Sequence, residues 1–192
     1  MRKESAAKQK ILDTASELFY GQGYQSTGIN EIIEKSGVSK ATFYKHFPAK
    51  DELCLAYLQD LHQRDMQALK EAIRKLKGPR ERFLAVMESL EGWMKDINFK
   101  GCGFLNIVPE VLDPQSPIRK EGKLHYEALR ALLRDLSQDL IDSDTVRYGR
   151  LKASELADDY LMIFTGAIAL SEIYHDVWAL RYGVKKVKAL IG

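Results

Sequence analysis

The sequence predicts an all-α protein in two parts: a three-helix helix-turn-helix head over residues 1–50 and a larger helical domain over residues 51–192. Three observations predict it. Apolar residues recur at helical spacing through most of the chain, and no stretch alternates with the two-residue period of a strand. Gly, Pro and short polar residues punctuate these stripes where helices should start and stop. Two short amphipathic segments flank a tight turn at Gly37, the spacing of two helices joined by a few residues that include a glycine.

Residues 5–20 carry the first stripe, Ile11, Leu12, Ala15, Leu18 and Phe19, closed by Gly21 and Gly23. Tyr24 follows as a core anchor. Thr27 is placed to cap the second helix, since its hydroxyl can accept an orphan N–H of the first turn. Ile29, Ile32 and Ile33 give that helix its apolar face, and Gly37 suits the left-handed residue that ends it. Ser39 caps the third helix. Phe43 and Phe47 stand one turn apart on its inner face, and Pro48 disfavours helical geometry in the residue before it.

Burying Phe43 and Phe47 turns Ala41, Thr42 and Lys45 outward, with Lys40, Tyr44 and His46 on the flanks. A helix presented this way is built to enter a DNA major groove. Lys40, Lys45 and Lys50 suit phosphates, which supply affinity rather than sequence information. Ala41 lets the backbone approach the groove wall and can meet a thymine methyl. The expected DNA-binding set is Thr27, Ser39, Lys40, Ala41, Thr42, Tyr44, Lys45, His46 and Lys50. Lys8 and Lys10, near the start of the first helix, are within reach of phosphate or simply solvated.

The run Gly37-Val-Ser-Lys-Ala-Thr-Phe-Tyr-Lys-His-Phe-Pro-Ala-Lys50-Asp-Glu-Leu53, preceded by Ile11-Leu-Asp-Thr-Ala15 and by Leu18-Phe19 and Gly23-Tyr24, resembles the DNA-binding domain of TetR/AcrR-type regulators. Phe43-Tyr44-Lys45-His46-Phe47 is its most specific part. Gly28 departs from the family pattern where a serine or threonine is usual, and Ile33 replaces a common alanine. The resemblance implies a C-terminal all-helical domain for ligand binding and dimerisation. It also implies a linker helix whose tilt sets the spacing of paired reading heads.

Charge distribution agrees with a nucleic-acid-facing head. Residues 1–50 hold eight Lys/Arg against five Asp/Glu, within a chain of net charge only +2. Apolar content of 45% provides a packed core and argues against disorder. Two distant cysteines, Cys54 and Cys102, make neither a disulfide framework nor a zinc pattern, which suits a reducing compartment. The opening Met-Arg-Lys-Glu-Ser leads into no apolar signal core. Leu161–Leu170, the most apolar stretch, is too short to span a bilayer. A cytoplasmic protein is expected.

Asp51 and Glu52 open a long helix to about Lys77, a position that suits its dipole. Gly78 breaks it and Pro79 starts the next, where its missing N–H costs nothing. Phe83, Met87, Leu90, Trp93, Met94 and Ile97 carry that helix to residue 97. Gly101 and Gly103 mark a mobile or tightly turned segment before a short helix, 104–112. Pro114 and Pro117 bound a loop, and Leu124 to Leu140 stripe a helix over 117–141. After the polar break at 142–145 come helices over 154–174 and 177–190. The first is apolar on most of its circumference, so one face serves the core and another a partner. The expected homodimer forms through helices 154–190.

No enzyme constellation is present. His46, His62, His125 and His175 lack metal spacing, and there is no phosphate loop or nucleophile elbow. No metal or cofactor is expected. Pocket candidates are Trp93, Phe104, Asn106, Glu110, Tyr126, Tyr160 and Phe164, with Phe99 and Trp178 as further aromatics and core packing as the ordinary alternative for each. Asn106 and Glu110 stand four apart on the short helix and so share a face. Cys102, between two glycines and near Lys100, suits either redox sensing or packing at a helix start. With the resemblance, the expected function is that of a ligand-responsive regulator, a homodimeric repressor released from a palindromic operator by a small molecule. The alternatives are a helical protein-interaction adaptor that binds no DNA and a redox- or electrophile-sensing regulator that uses Cys102.

Overall fold

The computed structural model describes residues 2–192, with side chains from residue 6 onward; the side chains of the basic opening stretch lie outside the described residues. Among the described residues the chain is helical and has no strand. It divides into two compact units. One comprises the chain up to Gln63 together with Gly103–Lys123; the other comprises Arg64–Cys102 and Leu124–Gly192. The units therefore do not follow a cut at residue 50. A segment remote in sequence joins the helix-turn-helix unit because its side chains are needed there.

In the first unit, α1 (Arg2–Gln22) packs Ile11, Ala15, Leu18 and Phe19 inward. Gly23, at φ 90°, turns the chain away, and Tyr24 is buried in the core. The second helix, α2 (Ile29–Ser36), is amphipathic: Ile32 is fully buried, while Ile29 and Ile33 are half-buried. Gly37 closes it at φ 64°, donating its N–H to the carbonyls of Ile33 and Glu34. α3 (Lys40–His46) opens on Ser39, whose Oγ accepts the Thr42 N–H at 3.1 Å. It ends at Phe47, extended ahead of Pro48. The Phe43 and Phe47 rings lie 6.5 Å apart in the core.

Thr27 does not cap α2. Gly28 holds the N-cap position without a side-chain bond, and the buried Thr27 hydroxyl donates to the Gly23 carbonyl at 2.7 Å. Closing the 23–27 turn satisfies the hydroxyl locally, the alternative that short polar side chains always hold open.

α4 (Lys50–Arg74) supplies Leu53, Tyr57 and Leu58 to the core of the first unit and ends three residues earlier than its stripe suggests. After the turn at Asn98–Gly101 comes α7 (Gly103–Ile107), an α-helix of only five residues, followed by a 3-10 turn, Val108–Glu110. The expected helix over 104–112 is cut short because Pro109 has no N–H to donate and its ring clashes with the preceding turn. α8 (Pro117–Ser143) starts in the first unit and ends in the second.

In the second unit, α5 (Pro79–Glu88) starts with Pro79 behind Gly78, as expected. The run to residue 97 is interrupted at Ser89, whose Oγ donates to the Val86 carbonyl, and resumes as α6 (Leu90–Asp96). Asn98, Phe99 and Gly101 all take positive φ, so the glycine-flanked segment is tightly turned. At the polar break, Asp144 caps the short α9 (Thr145–Tyr148) through the Arg147 N–H.

α10 (Ala153–Tyr174) and α11 (Trp178–Leu190) complete the unit. Tyr160 on α10 is fully buried; its hydroxyl donates to the Phe83 carbonyl at 3.0 Å and accepts the Met87 N–H at 2.8 Å. Gly183 lets α11 approach α5 and α10, because a Cβ there would lie 2.2 Å from Met87 Cε and 3.4 Å from Ala167 Cβ. Arg181 grips Glu91 on α6 through two hydrogen bonds, which hold that carboxyl down at about 2. No described helix is long and apolar enough to cross a membrane.

Candidate nucleic-acid interface and effector cavity

α3 presents a polar and basic outer face. Burial of Phe43 and Phe47 leaves Lys40, Ala41, Tyr44 and Lys45 exposed, with Thr42 and His46 half-buried beside them. Ser39 is exposed, and its Oγ also meets Thr42 Oγ1 at 2.8 Å, so the cap holds both side chains at the start of α3. Tyr44 is 40% exposed and packs edge-on to Phe43 at 5.3 Å, which fixes its ring while its hydroxyl end faces outward.

Two residues of the expected set lie elsewhere. Thr27 is inaccessible, for the reason given above. Lys50 is turned inward: its Nζ donates to the Tyr24 carbonyl at 3.1 Å and the Thr27 carbonyl at 3.2 Å, and lies 4.3 Å from the Tyr24 ring. Lys50, expected at phosphate, is half-buried and bridges two carbonyls of the turn before α2 with its ammonium against an aromatic face. Lys8 is exposed, with its Nζ 5.8 Å from the Phe47 ring.

Tyr24 is the hub of this turn. Its hydroxyl bonds Asp51 and its ring packs 5.7 Å from Phe19. Burial and the neighbouring carboxylate push the phenol pKa well above its ordinary value. The Tyr24 backbone is held by Glu110, whose carboxylate accepts the N–H groups of Tyr24 at 3.1 Å and Gln25 at 2.6 Å. Gln25 Nε2 completes the clasp on the Glu110 carbonyl at 3.1 Å. The helix on which Glu110 was to share a face with Asn106 does not exist, and the Glu110 side chain is spent on the turn preceding α2. Asn106 is half-buried and Phe104 fully buried, and both belong to the first unit.

The second unit contains a cavity of about 200 Å³. Trp93 and Phe164 line it, as the pocket reading expects. Tyr160 does not; its hydroxyl is consumed by the α5 backbone. Tyr126 is absent from the wall; its ring stands edge-on to His125 at 5.3 Å and its hydroxyl lies 3.9 Å from Cys102 Sγ. Phe99 stacks on His175 at 4.7 Å, and Trp178 is 44% exposed on α11.

Four polar lining residues stand outside the expected pocket set, Asp65, His125, Ser89 and Cys102. A signal for the first two was present. Asp65 falls on the α4 stripe, four residues after Leu61 and four before Leu69. His125 stands four before Leu129 on the α8 stripe. A polar residue on an apolar stripe is one the fold has chosen to bury. Cys102 is only 8% exposed and packs between its glycines at the cavity wall.

The family profile described as "Bacterial regulatory proteins, tetR family" matches residues 11–57. Over 80 residues the chain is 38% identical to the HTH-type transcriptional activator FasR of Mycolicibacterium smegmatis, covering 42% of this chain and 36% of that protein. It is 27% identical over 177 residues to an uncharacterized HTH-type transcriptional regulator of Lactococcus lactis, covering 88% and 85%. The crystal structure of a TetR-family transcriptional regulator from Streptomyces coelicolor superposes with a TM-score of 0.87 at 26% identity, covering 97% of this chain and 95% of that one.

Proposed function

The chain belongs to the TetR family of DNA-binding transcriptional regulators, and on that premise we propose that it acts as a homodimeric, ligand-released repressor at a palindromic operator. The carrying observation is the outer face of α3. Lys40, Ala41, Tyr44 and Lys45 are offered to a groove, while the Ser39 cap and the Phe43–Phe47 pair hold the helix rigid. Two such helices, related by a dyad, read half-sites about one helical turn apart.

The homodimer reading draws on the apolar face that α10 and α11 leave open. Met162 and Ile173 are each 75% exposed, Tyr174, Trp178 and Tyr182 are exposed as well, and the Tyr174 and Trp178 rings lie 5.5 Å apart. Contiguous exposed apolar side chains on a folded domain mark an interaction surface. The cavity of the second unit is the effector site in this reading. Helix α4 contributes Asp65, Leu69 and Ala72 to its wall and starts beside the head. A ligand releases DNA only by binding the DNA-incompetent state more tightly. Such a protein works in the cytoplasm, where the operator is.

The test is binding of the purified protein to the DNA flanking its own coding region, titrated at two salt concentrations. Tight, salt-sensitive binding to one fragment over random DNA is expected. Equal, weak binding to every fragment sinks the reading in favour of a helical adaptor. Reporter expression in a strain lacking the protein decides the sign: a rise supports repression, a fall shows activation.

A further inference from the structure

We propose that the cavity of the second unit selects a small aromatic cation, an amine whose ammonium is bound by Asp65 and whose ring packs between Trp93 and Phe164. The inference rests on the reading of this cavity as the effector site and deepens it to a ligand class.

The lining is almost wholly apolar: Leu69, Leu90, Leu129 and Ile168 stand beside the two aromatic rings. Into this surface α4 places a carboxylate. Asp65 is half-buried there: desolvation pushes its carboxyl up, and the charge of Arg64, the preceding residue, opposes that rise. Arg64 is itself exposed, about 100° around the helix from Asp65. A carboxylate held partly out of water against an apolar wall is costly, and a cationic partner relieves that cost. The partner that satisfies it best is a cation with N–H donors, because a charge-assisted hydrogen bond is roughly twice as strong as a neutral one. The neighbours suit the rest of such a molecule. Trp93 offers the aromatic face that attracts a cation most strongly, and Phe164 adds a second. A cavity of about 200 Å³ admits one ring and a short chain rather than a polycycle. An anionic ligand is disfavoured by Asp65 itself, and a neutral lipophile leaves the carboxylate unpaired.

Three probes of one shape separate these cases: phenethylammonium, phenethyl alcohol and hydrocinnamate, each titrated calorimetrically into the full chain. At neutral pH the ammonium is expected to bind about tenfold or more tighter than the alcohol, the worth of one charged hydrogen bond, with hydrocinnamate weakest. In Asp65→Asn, checked for native circular dichroism, the ammonium preference is expected to vanish while alcohol binding stays within about twofold. Absence of saturable ammonium binding, an equal or tighter fit for the alcohol or the anion, or a preference that survives Asp65→Asn each overturns the proposal. Repeating the titration with operator DNA present separates the two readings. Ammonium binding that leaves DNA affinity unchanged keeps the ligand class and removes the effector role.

Discussion

Glu110 and Tyr24, far apart in sequence, are joined by a hydrogen bond from the Tyr24 backbone N–H to the Glu110 carboxylate at 3.1 Å, with the Gln25 N–H on the other oxygen at 2.6 Å. The turn that delivers the chain into α2 is thus held by a residue of the 103–123 segment. Truncating it in Glu110→Ala removes the acceptor of two N–H groups, one part-buried at Tyr24 and one exposed at Gln25. The expected cost is about 1–3 kcal/mol, a fall in Tm of several degrees. Thermal unfolding of the two proteins checks this, and identical melting curves would show that water replaces the carboxylate at no cost.

Lys40 is exposed at the first position of α3. If it meets phosphate, Lys40→Ala weakens operator and random DNA alike and lowers the slope of log affinity against log salt by about one. Tyr44→Ala, in contrast, should alter preference among operator variants. An unchanged salt slope in Lys40→Ala would move the phosphate contacts off α3.

Burial pushes the Asp65 carboxyl up from 3.8 to about 6. The folded state then binds this proton more tightly than the unfolded chain. The linkage runs against stability: it falls as pH rises between roughly 4 and 6 and stays lower above that window. Asp65→Asn removes the buried charge, so it should raise stability by about 1–3 kcal/mol at neutral pH and match the wild type near pH ~4. Groups near the carboxylate are Arg64 on its own helix and His125, Tyr126 and Cys102 from elsewhere in the unit. Chemical denaturation at the two pH values measures the difference. A variant less stable than wild type at neutral pH would mean that the carboxylate has a structural partner.

Ile173 stands 75% exposed on α10. Ile173→Asp leaves the core of the unit untouched but places a charge on the open apolar face. The variant should sediment as a monomer with native circular dichroism, and its operator affinity should fall by at least about tenfold as bivalency is lost. A dimer that persists in this variant and in Met162→Asp would place the interface elsewhere.

The head was legible because its determinants are local. Ser39 caps α3 through a bond that reaches only three residues ahead, Gly37 ends another helix through its own φ, and the Phe43–Phe47 spacing states which face is inward. Each needs only neighbours within one turn. The all-helical class was legible for the same reason, since helical periodicity is written within each segment. Thr27 and Lys50 were misread because a polar side chain beside a helix has two outlets, solvent and nearby carbonyls, and only the packed turn selects between them. Pro109 did announce that the helix after Gly103 must fail, and with it the shared face of Asn106 and Glu110.

What the sequence by itself determined was the helical class, the two-helix motif and the outward face of α3, all governed by hydrogen bonds and stripes of short range. Only the tertiary structure decided that Glu110 serves the turn before α2, that Tyr160 is a strut for α5 and that Asp65 and His125 share a cavity with Trp93 and Phe164. Those relationships join residues tens of positions apart. They exist because a buried polar group takes whichever partner the packing brings within reach, and periodicity along one helix carries no information about its neighbour's register.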